Sequence, residues 1–201
     1  MTAPTYPWET ATRGPAADFA ARLRDMLPQI DTARLTLRAP ELGDFATYAE
    51  IMCSPRAEHM DGPMSREDAY LDFTCTVAGW LLRGHGLWTI TARQGGDVLG
   101  FVLVNMEPGD QEPELGFFLT EATEGQGIAA EAATAARDHA LGALDLPRLV
   151  SYVAHDNARS ARLLDRLGAF RDAVAEEAVS HDCRVYRHAP AGGDGGMEAY
   201  A

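Results

Sequence analysis

The sequence predicts an α/β (α+β) domain in which helices flank a mixed, mostly antiparallel central sheet of six to seven strands. Two kinds of pattern support this fold class. Some segments alternate apolar and polar residues with period 2, as half-buried strands do, and others place apolar residues at helical spacing. The third observation is their order: strand, two helices, three-strand meander, helix, strand, helix, two strands. This order differs from the regular strand–helix alternation of a fully parallel sheet.

The first half of the chain carries the opening strand, two helices and the meander. Alternation over 33–40 predicts a strand, and residues 41–52 change to helical spacing. Ser65 is a suitable first residue for a second helix, which should end at Gly84. The three meander strands are predicted over 87–92, 98–105 and about 112–119.

The second half begins at a glycine turn and predicts a helix from Ile128 to about Leu141. A strand over 148–154 and a helix over 158–167 follow. The final pair of strands is predicted over 173–180 and 183–188, turning at His181 and Asp182.

The 201 residues suit one domain with an extension. Residues 1–31 are predicted as an N-terminal extension with a short helix, 32–189 as the domain, and 190–201 as a glycine-rich disordered tail. The extension could be a surface appendage, a docking arm or a dimer contact. A homodimer is therefore one expected partnership.

Charge and cysteine content narrow the classes of partner. Lys and Arg number 17 against 30 Asp and Glu, a formal net charge of −13, which disfavours nucleic acid and anionic membranes as partners. Cys53, Cys75 and Cys183 lack metal-ligand spacing, so we expect free thiols and no metal. Without an apolar run of roughly 18 residues or a leader pattern, a cytoplasmic location is the default expectation.

The glycine turn predicts an anion site. Gly125 and Gly127 lead into a helix whose first N–H groups are free to bind a ligand, and side chains at the glycines would hold phosphates away. A Walker-type loop is excluded because no lysine follows Gly127. A dinucleotide fingerprint is matched by the two glycines and Ala130, but five residues, 120–124, separate it from the preceding strand, and few strand–helix units follow.

A third kind of anion site fits the surroundings better. The run from Gly125 to Ala129 resembles the pyrophosphate loop of the GNAT superfamily of N-acetyltransferases, although Glu124 stands where the family has Gln or Arg. Segments 32–45, 112–132 and 157–170 resemble, in the right order, its RimJ/RimL-like branch, which acetylates ribosomal-protein N-termini and includes small-molecule relatives.

This resemblance implies a GNAT-like acyl-CoA acyltransferase fold, with acetyl-CoA as co-substrate and no metal. Strands 115–119 and 148–154 would splay apart and hold pantetheine, and a primary amine would attack the acetyl group directly in a ternary complex. The residues expected to bind the coenzyme are Phe117, Phe118, Leu119, Gln126, Gly127, Ile128, Ala129, Asn157 and Ser160.

The resemblance also implies two catalytic residues. Glu114 would be the base, or would order a water that acts as one, with Glu112 in reserve. Ser160 would donate to the departing thiolate, because Leu164 occupies the position where many members have a tyrosine. Structural alternatives stay open: Glu114 as an ordinary strand residue, Asn157 as a helix cap and Ser160 as a packing residue.

Two other functions remain open from the sequence. A non-catalytic acyl-CoA-binding domain would keep the same loop and asparagine, and a dinucleotide-binding enzyme would use the glycines differently. The acceptor would be selected by residues 52–86 and the segment near His181, where the sequence contains no recognisable code. The negative charge slightly favours a cationic amine.

Overall fold

The computed structural model describes residues 6–179 and 182–189. The strands are β1 Ile30–Asp31, β2 Leu35–Arg38, β3 Leu87–Ala92, β4 Val98–Asn105, β5 Glu114–Leu119, β6 Val150–Ala154, β7 Phe170–Arg171 and β8 Cys183–Arg187. The helices are α1 Pro15–Asp25, α2 Phe45–Met52, α3 Arg66–Arg83, α4 Ile128–Asp138, α5 Ala158–Arg166 and α6 Ala173–Ala178.

The described strands form one sheet in the order β1-β2-β3-β4-β5-β6-β8-β7. Its pairings are antiparallel except between β5 and β6, which run parallel. The predicted mixed, mostly antiparallel sheet is thus confirmed. It has eight strands rather than six to seven because β1 and β7 are two-residue strands, too short to show a period-2 pattern.

Helices cover both faces of the sheet. On one face, Ala132, Ala133 and Ala136 of α4 pack with Trp88 and other side chains of the central strands, since small residues let the helix approach closely. On the other face, α2 and α3 bury an aromatic cluster. Its aromatic members are Phe45, Tyr48, Phe73 and Phe101. Because successive side chains of β3 and β4 point to opposite faces of the sheet, these strands contribute residues to both cores.

The predicted limits of α3 are confirmed. The Ser65 hydroxyl oxygen accepts a hydrogen bond from the Asp68 N–H at 3.1 Å, which caps the first turn. Gly84 ends the helix with φ of 77°, a left-handed conformation that glycine adopts without steric cost.

The strand predicted over 173–180 is wrong: Ala173–Ala178 form helix α6. The Asp172 carboxylate accepts from the Ala175 N–H at 3.0 Å, and the Ala-Val-Ala-Glu-Glu-Ala segment contains good helix formers. β7 pairs with only Tyr186 and Arg187 of β8. On the same edge, the Val185 N–H donates to the Glu176 carboxylate of α6 at 3.1 Å, and the Val185 carbonyl accepts from the Asp172 N–H at 2.8 Å, so α6 takes the place of the predicted strand. Residue 180 of the predicted strand, His181 of the predicted turn and the predicted disordered tail lie outside the described residues.

The N-terminal extension is attached to the domain at several points. Trp8 packs edge-on against Tyr70, with ring centroids 4.6 Å apart, and Glu9 pairs with Arg66 at 2.5 Å. Farther along, the Trp88 ring N–H donates to the Pro28 carbonyl at 2.8 Å, and β1 extends the sheet. Within the described residues, no helix has the length and apolar character needed to cross a bilayer.

Candidate functional site

The sheet opens between β5 and β6. Within the described residues, the two strands are in register at a single pair, Glu114 with Val150, whereas β5 is paired along its whole length with β4, and β6 with β8. This is the splay that the resemblance implied. Beyond the single pair, the facing main-chain groups of β5 and β6 are separated by a V-shaped cleft.

Alternation along β5 decides which main-chain groups face this cleft. The Pro113 and Leu115 carbonyls accept hydrogen bonds from the β6 side, and the Thr120 N–H donates to the β4 side. Because neighbouring residues of a strand face opposite edges, the N–H groups of Phe117 and Leu119 face the cleft and that of Phe118 faces β4. Of the three predicted donors, two are therefore directed at the cleft.

A buried hydrogen-bonded chain holds the two strands together where the cleft begins. The Ser151 hydroxyl donates to the Leu115 carbonyl at 2.6 Å, so its oxygen must accept from His188 Nε2–H, 3.0 Å away. Burial lowers the pKa of His188 to about 4, so the ring is neutral. This chain fixes the apex of the cleft.

Glu114 lies at the same apex. Its Oε1 accepts a hydrogen bond from the Tyr152 N–H at 3.2 Å. Burial raises the pKa of Glu114 from 4.5 to about 8; this hydrogen bond opposes the shift, and the charges of Asp110, Glu107 and Asp61 add to it. A carboxyl group with such a pKa exchanges its proton near neutral pH, as a general base must.

Other carboxyl groups surround Glu114. Burial, followed by the charges of Asp72 and Asp110, raises the pKa of Glu107. Burial also raises the pKa of Asp72, although the Tyr48 hydroxyl opposes this by donating to it. These groups come from α3 and from the loops before α3 and β5, so the fold collects acidic groups around Glu114.

Glu112, the reserve candidate for the base, is occupied by other partners. Its two oxygens bind Arg148 at 3.0 Å and Arg187 at 2.6 Å. Both oxygens of Glu112 are therefore engaged by guanidinium groups and are not open to an amine or a water. Glu114 is therefore the carboxylate that the geometry favours.

The glycine loop leads into α4 as predicted. Gly125 and Gly127 have φ of 72° and 78°, so both adopt the left-handed conformation that favours glycine. Gly127 precedes Ile128, the first residue of α4, and the N–H groups of the first turn lie at the loop. The Gln126 side chain donates to the Ala122 carbonyl at 2.9 Å and braces the turn.

Glu124, which departs from the family pattern, is held between two arginines. It pairs with Arg56, which also donates to the Leu119 carbonyl at 3.1 Å, and with Arg159 of α5 at 2.7 Å. Burial opposes ionisation, but the hydrogen bonds from Arg159 and Arg56 lower the pKa of Glu124. Two positive charges thus outweigh this one negative charge beside the loop.

The start of α5 contains the remaining predicted residues. The Asn157 Oδ1 accepts from the Ser160 N–H at 3.0 Å, so Asn157 caps this helix. Ser160 is partly exposed in the first turn. Leu164 is fully buried with Val153, so the position where many relatives have a tyrosine belongs to the core here.

Several residues of the site were not recognised in the sequence. Asp61, Glu107 and Asp110 are dispersed among loops, and only the fold brings their charge to Glu114. Arg56 lies in a short turn that carries no motif. Their acidic or basic character alone gave no signal, because it is shared by many surface residues.

The comparisons with known proteins identify the family. A family model described as the acetyltransferase (GNAT) domain matches residues 34–169. The fold resembles an acetyltransferase from Agrobacterium tumefaciens, with 39% identity and a TM-score of 0.77, over 81% of this chain and 95% of that one. The chain belongs to the GNAT acetyltransferase family and is an acetyl-CoA-dependent N-acetyltransferase.

Two more distant structures share the fold. One is RimL, a ribosomal L7/L12 α-N-protein acetyltransferase in complex with coenzyme A, at 21% identity and a TM-score of 0.65, covering 81% of this chain and 98% of that one. The other is spermidine N-acetyltransferase from Vibrio cholerae in complex with CoA and spermine, at 17% identity and a TM-score of 0.61, covering 78% of this chain and 94% of that one. Among the described residues, no group of three or more His, Cys, Asp or Glu side chains could hold a metal ion.

Proposed function

We propose that the enzyme transfers the acetyl group of acetyl-CoA to a primary amine by direct attack in a ternary complex, with Glu114 as the base. The observation that carries this proposal is the position of Glu114 at the apex of the cleft, with a pKa raised to about 8. A carboxyl group of that pKa can accept an ammonium proton near pH 8, directly or through a water.

The coenzyme would bind along the cleft and the loop. Pantetheine would lie between β5 and β6, hydrogen-bonded to the N–H groups of Phe117 and Leu119. The diphosphate would accept from main-chain N–H groups of residues 126–129, which combine free donors with the positive end of α4. Support comes from the splay and from the two left-handed glycines at the loop.

In the chemical step the attacking nitrogen loses a proton and the departing sulfur gains one. The deprotonated amine attacks the thioester carbonyl, the C–N bond forms and the C–S bond breaks. A main-chain N–H of β5 would stabilise the carbonyl oxygen as it gains charge. The attacking nitrogen is positively charged once the C–N bond has formed, and it loses a second proton as the C–S bond breaks. Ser160 would pass a proton to the departing thiolate and regain one from this nitrogen through water. The Asn157 amide, whose oxygen is already used as the cap, would offer its N–H groups to pantetheine.

We propose that the acceptor is a primary amine with positive charge. The carboxyl groups around Glu114 attract cations, and the relatives named above act on a protein α-amine and on spermidine. An α-amine, with a pKa of roughly 7.7–8.0, matches Glu114 better than a lysine amine near about 10.4, which costs more to deprotonate. The predicted homodimer and the predicted absence of nucleic-acid binding stay predictions.

The acceptor is tested by turnover. Release of coenzyme A from acetyl-CoA should be measured with peptides of varied N-termini, polyamines and aminoglycosides, using Glu114→Gln as the matched control. We expect turnover with at least one cationic amine. Tight acetyl-CoA binding without turnover above that control for every cationic amine would contradict both the proposed acceptor class and the role of Glu114.

A further inference from the structure

Glu131, in the first turn of α4, is bound to the segment that precedes β2. Its Oε1 accepts from the Thr32 hydroxyl at 2.6 Å and from the Arg34 N–H at 3.0 Å, and its Oε2 accepts from Arg34 Nε at 2.6 Å. The Glu131 side chain is about one-fifth exposed, at 20%. A carboxylate that only interacted with the helix dipole would require none of these contacts.

The same arginine reaches the glycine loop. Arg34 Nη1 donates to the Gln126 carbonyl at 3.0 Å. A Cβ at Gly127 would lie 3.4 Å from Arg34 Nη2, so the guanidinium group packs closely against the loop. Glu131 fixes one edge of the guanidinium group and Gln126 binds another, which defines what we call the Arg34–Glu131 clasp.

The clasp sets the direction of a main-chain donor. The peptide bond between Gln126 and Gly127 is trans, so its C=O and N–H point in opposite directions. Because Arg34 draws the carbonyl to its own side, the Gly127 N–H points to the opposite side. A glycine-flanked peptide can rotate easily, and a fixed carbonyl partner selects one orientation of its donor.

We propose that Arg34 and Glu131 are positioning residues for the coenzyme: by binding the Gln126 carbonyl, the clasp turns the Gly127 N–H toward the diphosphate. The inference rests on the proposed function, since it assigns the loop to the diphosphate of acetyl-CoA. Neither side chain needs to touch the coenzyme, because both lie on the carbonyl side of the peptide. Preorganised donors bind an anion more tightly than donors that must first be oriented.

Three substitutions separate geometry from charge. Arg34→Gln removes both, Arg34→Lys keeps the charge but loses the fork that joins Glu131 to Gln126, and Glu131→Gln loosens the anchor. Dissociation constants for acetyl-CoA are measured by calorimetry. We expect Arg34→Gln and Arg34→Lys to weaken binding alike, by about tenfold or more, and Glu131→Gln by a few-fold, with kcat at saturating acetyl-CoA little changed.

Two controls exclude general damage. S-acetylpantetheine carries the thioester but no diphosphate, so the variants should use it with the same kcat/KM as the wild type. Arg171→Gln is the matched charge control: Arg171 is about as exposed as Arg34 and pairs with Glu176 at 2.7 Å, and none of the hydrogen bonds found among the described residues joins it to the loop or the clasp. This variant should bind acetyl-CoA as the wild type does.

The outcomes are distinct. Wild-type affinity in Arg34→Lys would reduce the role of Arg34 to charge and overturn the proposal. An equal loss with S-acetylpantetheine would overturn it too, because the damage would then not involve the diphosphate. Acetyl-CoA binding without turnover in the wild type would contradict the catalytic proposal alone, and the dissociation constants of the variants would still decide the role of the clasp.

Discussion

The carboxylate of Glu114 accepts a hydrogen bond from the main-chain N–H of Tyr152, 3.2 Å away, where β5 and β6 begin to diverge. This contact fastens one oxygen of the carboxylate to the far side of the cleft. Within the described residues, no hydrogen bond engages the other oxygen, Oε2, which is therefore available to an amine or a water. Two predictions concern Glu114, two concern Asn157 and Glu124, and a fifth tests coenzyme binding itself.

The first prediction concerns the pH dependence of turnover. Glu114 acts as a base only when deprotonated, and burial together with neighbouring carboxylates raises its pKa to about 8. We expect kcat/KM to rise with pH and to level off above about pH 8. Substitution Glu114→Gln should remove most activity, by about 10²-fold or more, which is the usual size of general base catalysis.

The acceptor itself can titrate in the same range, so the profile must be recorded with two amines of different pKa. If kcat/KM rises near pH 8 in the same way for both amines, the titrating group belongs to the enzyme. If the rise follows the pKa of the amine alone, or if Glu114→Gln keeps full activity, Glu114 is not the base.

The second prediction concerns stability. The folded-state pKa of Glu114 is raised to about 8 from an ordinary value of 4.5, so the native state retains a proton that the unfolded state releases. The wild type should therefore lose stability relative to Glu114→Gln as pH rises from about 5 to about 8. The melting temperature of Glu114→Gln minus that of the wild type should be at least about 2 °C larger at pH 8.5 than at pH 5.5. An equal difference at both pH values would contradict the raised pKa.

The third prediction separates two roles of Asn157. Asn157→Ser keeps an oxygen that can cap α5 but removes the amide N–H groups, whereas Asn157→Ala removes both. We expect both variants to bind acetyl-CoA about five- to tenfold more weakly, because a hydrogen bond to pantetheine is lost. Only the alanine variant should also unfold about 2–4 °C lower. Unchanged affinity in Asn157→Ser would leave Asn157 as a cap alone.

The fourth prediction concerns Glu124, whose carboxylate pairs with Arg159 and would compete for it with the diphosphate proposed at the loop. Glu124→Gln should tighten acetyl-CoA binding by about two- to fivefold at low salt, the range that an exposed charge pair allows. The gain should shrink as salt screens the charges. Arg159→Gln should weaken binding to a similar extent. Weaker binding by Glu124→Gln would mean that the carboxylate instead orients the arginines for the ligand.

The fold could be predicted where a local pattern determined the structure. Strands β3 and β4 have the predicted bounds because their alternation feeds two opposite cores, and α3 begins and ends at its predicted cap residues. Helix α6 was missed because the edge of β8 that the predicted strand would have used is bound instead by the Glu176 carboxylate and the Asp172 N–H, which contact the main chain of Val185. These contacts belong to the tertiary structure, which the local pattern does not contain.

The candidate site could also be predicted only in part. Glu114, the glycine loop and Asn157 could be proposed because each belongs to a contiguous motif. The raised pKa of Glu114 could not, since it arises from burial and from Asp110, Glu107 and Asp61, which the fold collects from separate loops. Arg34 was likewise invisible, because its contact with Gln126 joins residues 92 positions apart.

The most direct test is a crystal structure of the enzyme with acetyl-CoA. The account predicts the diphosphate within hydrogen-bond distance of the Gly127, Ile128 and Ala129 N–H groups, and the thioester between β5 and β6 beside Glu114. A diphosphate bound away from the start of α4, or a thioester outside that cleft, would contradict it.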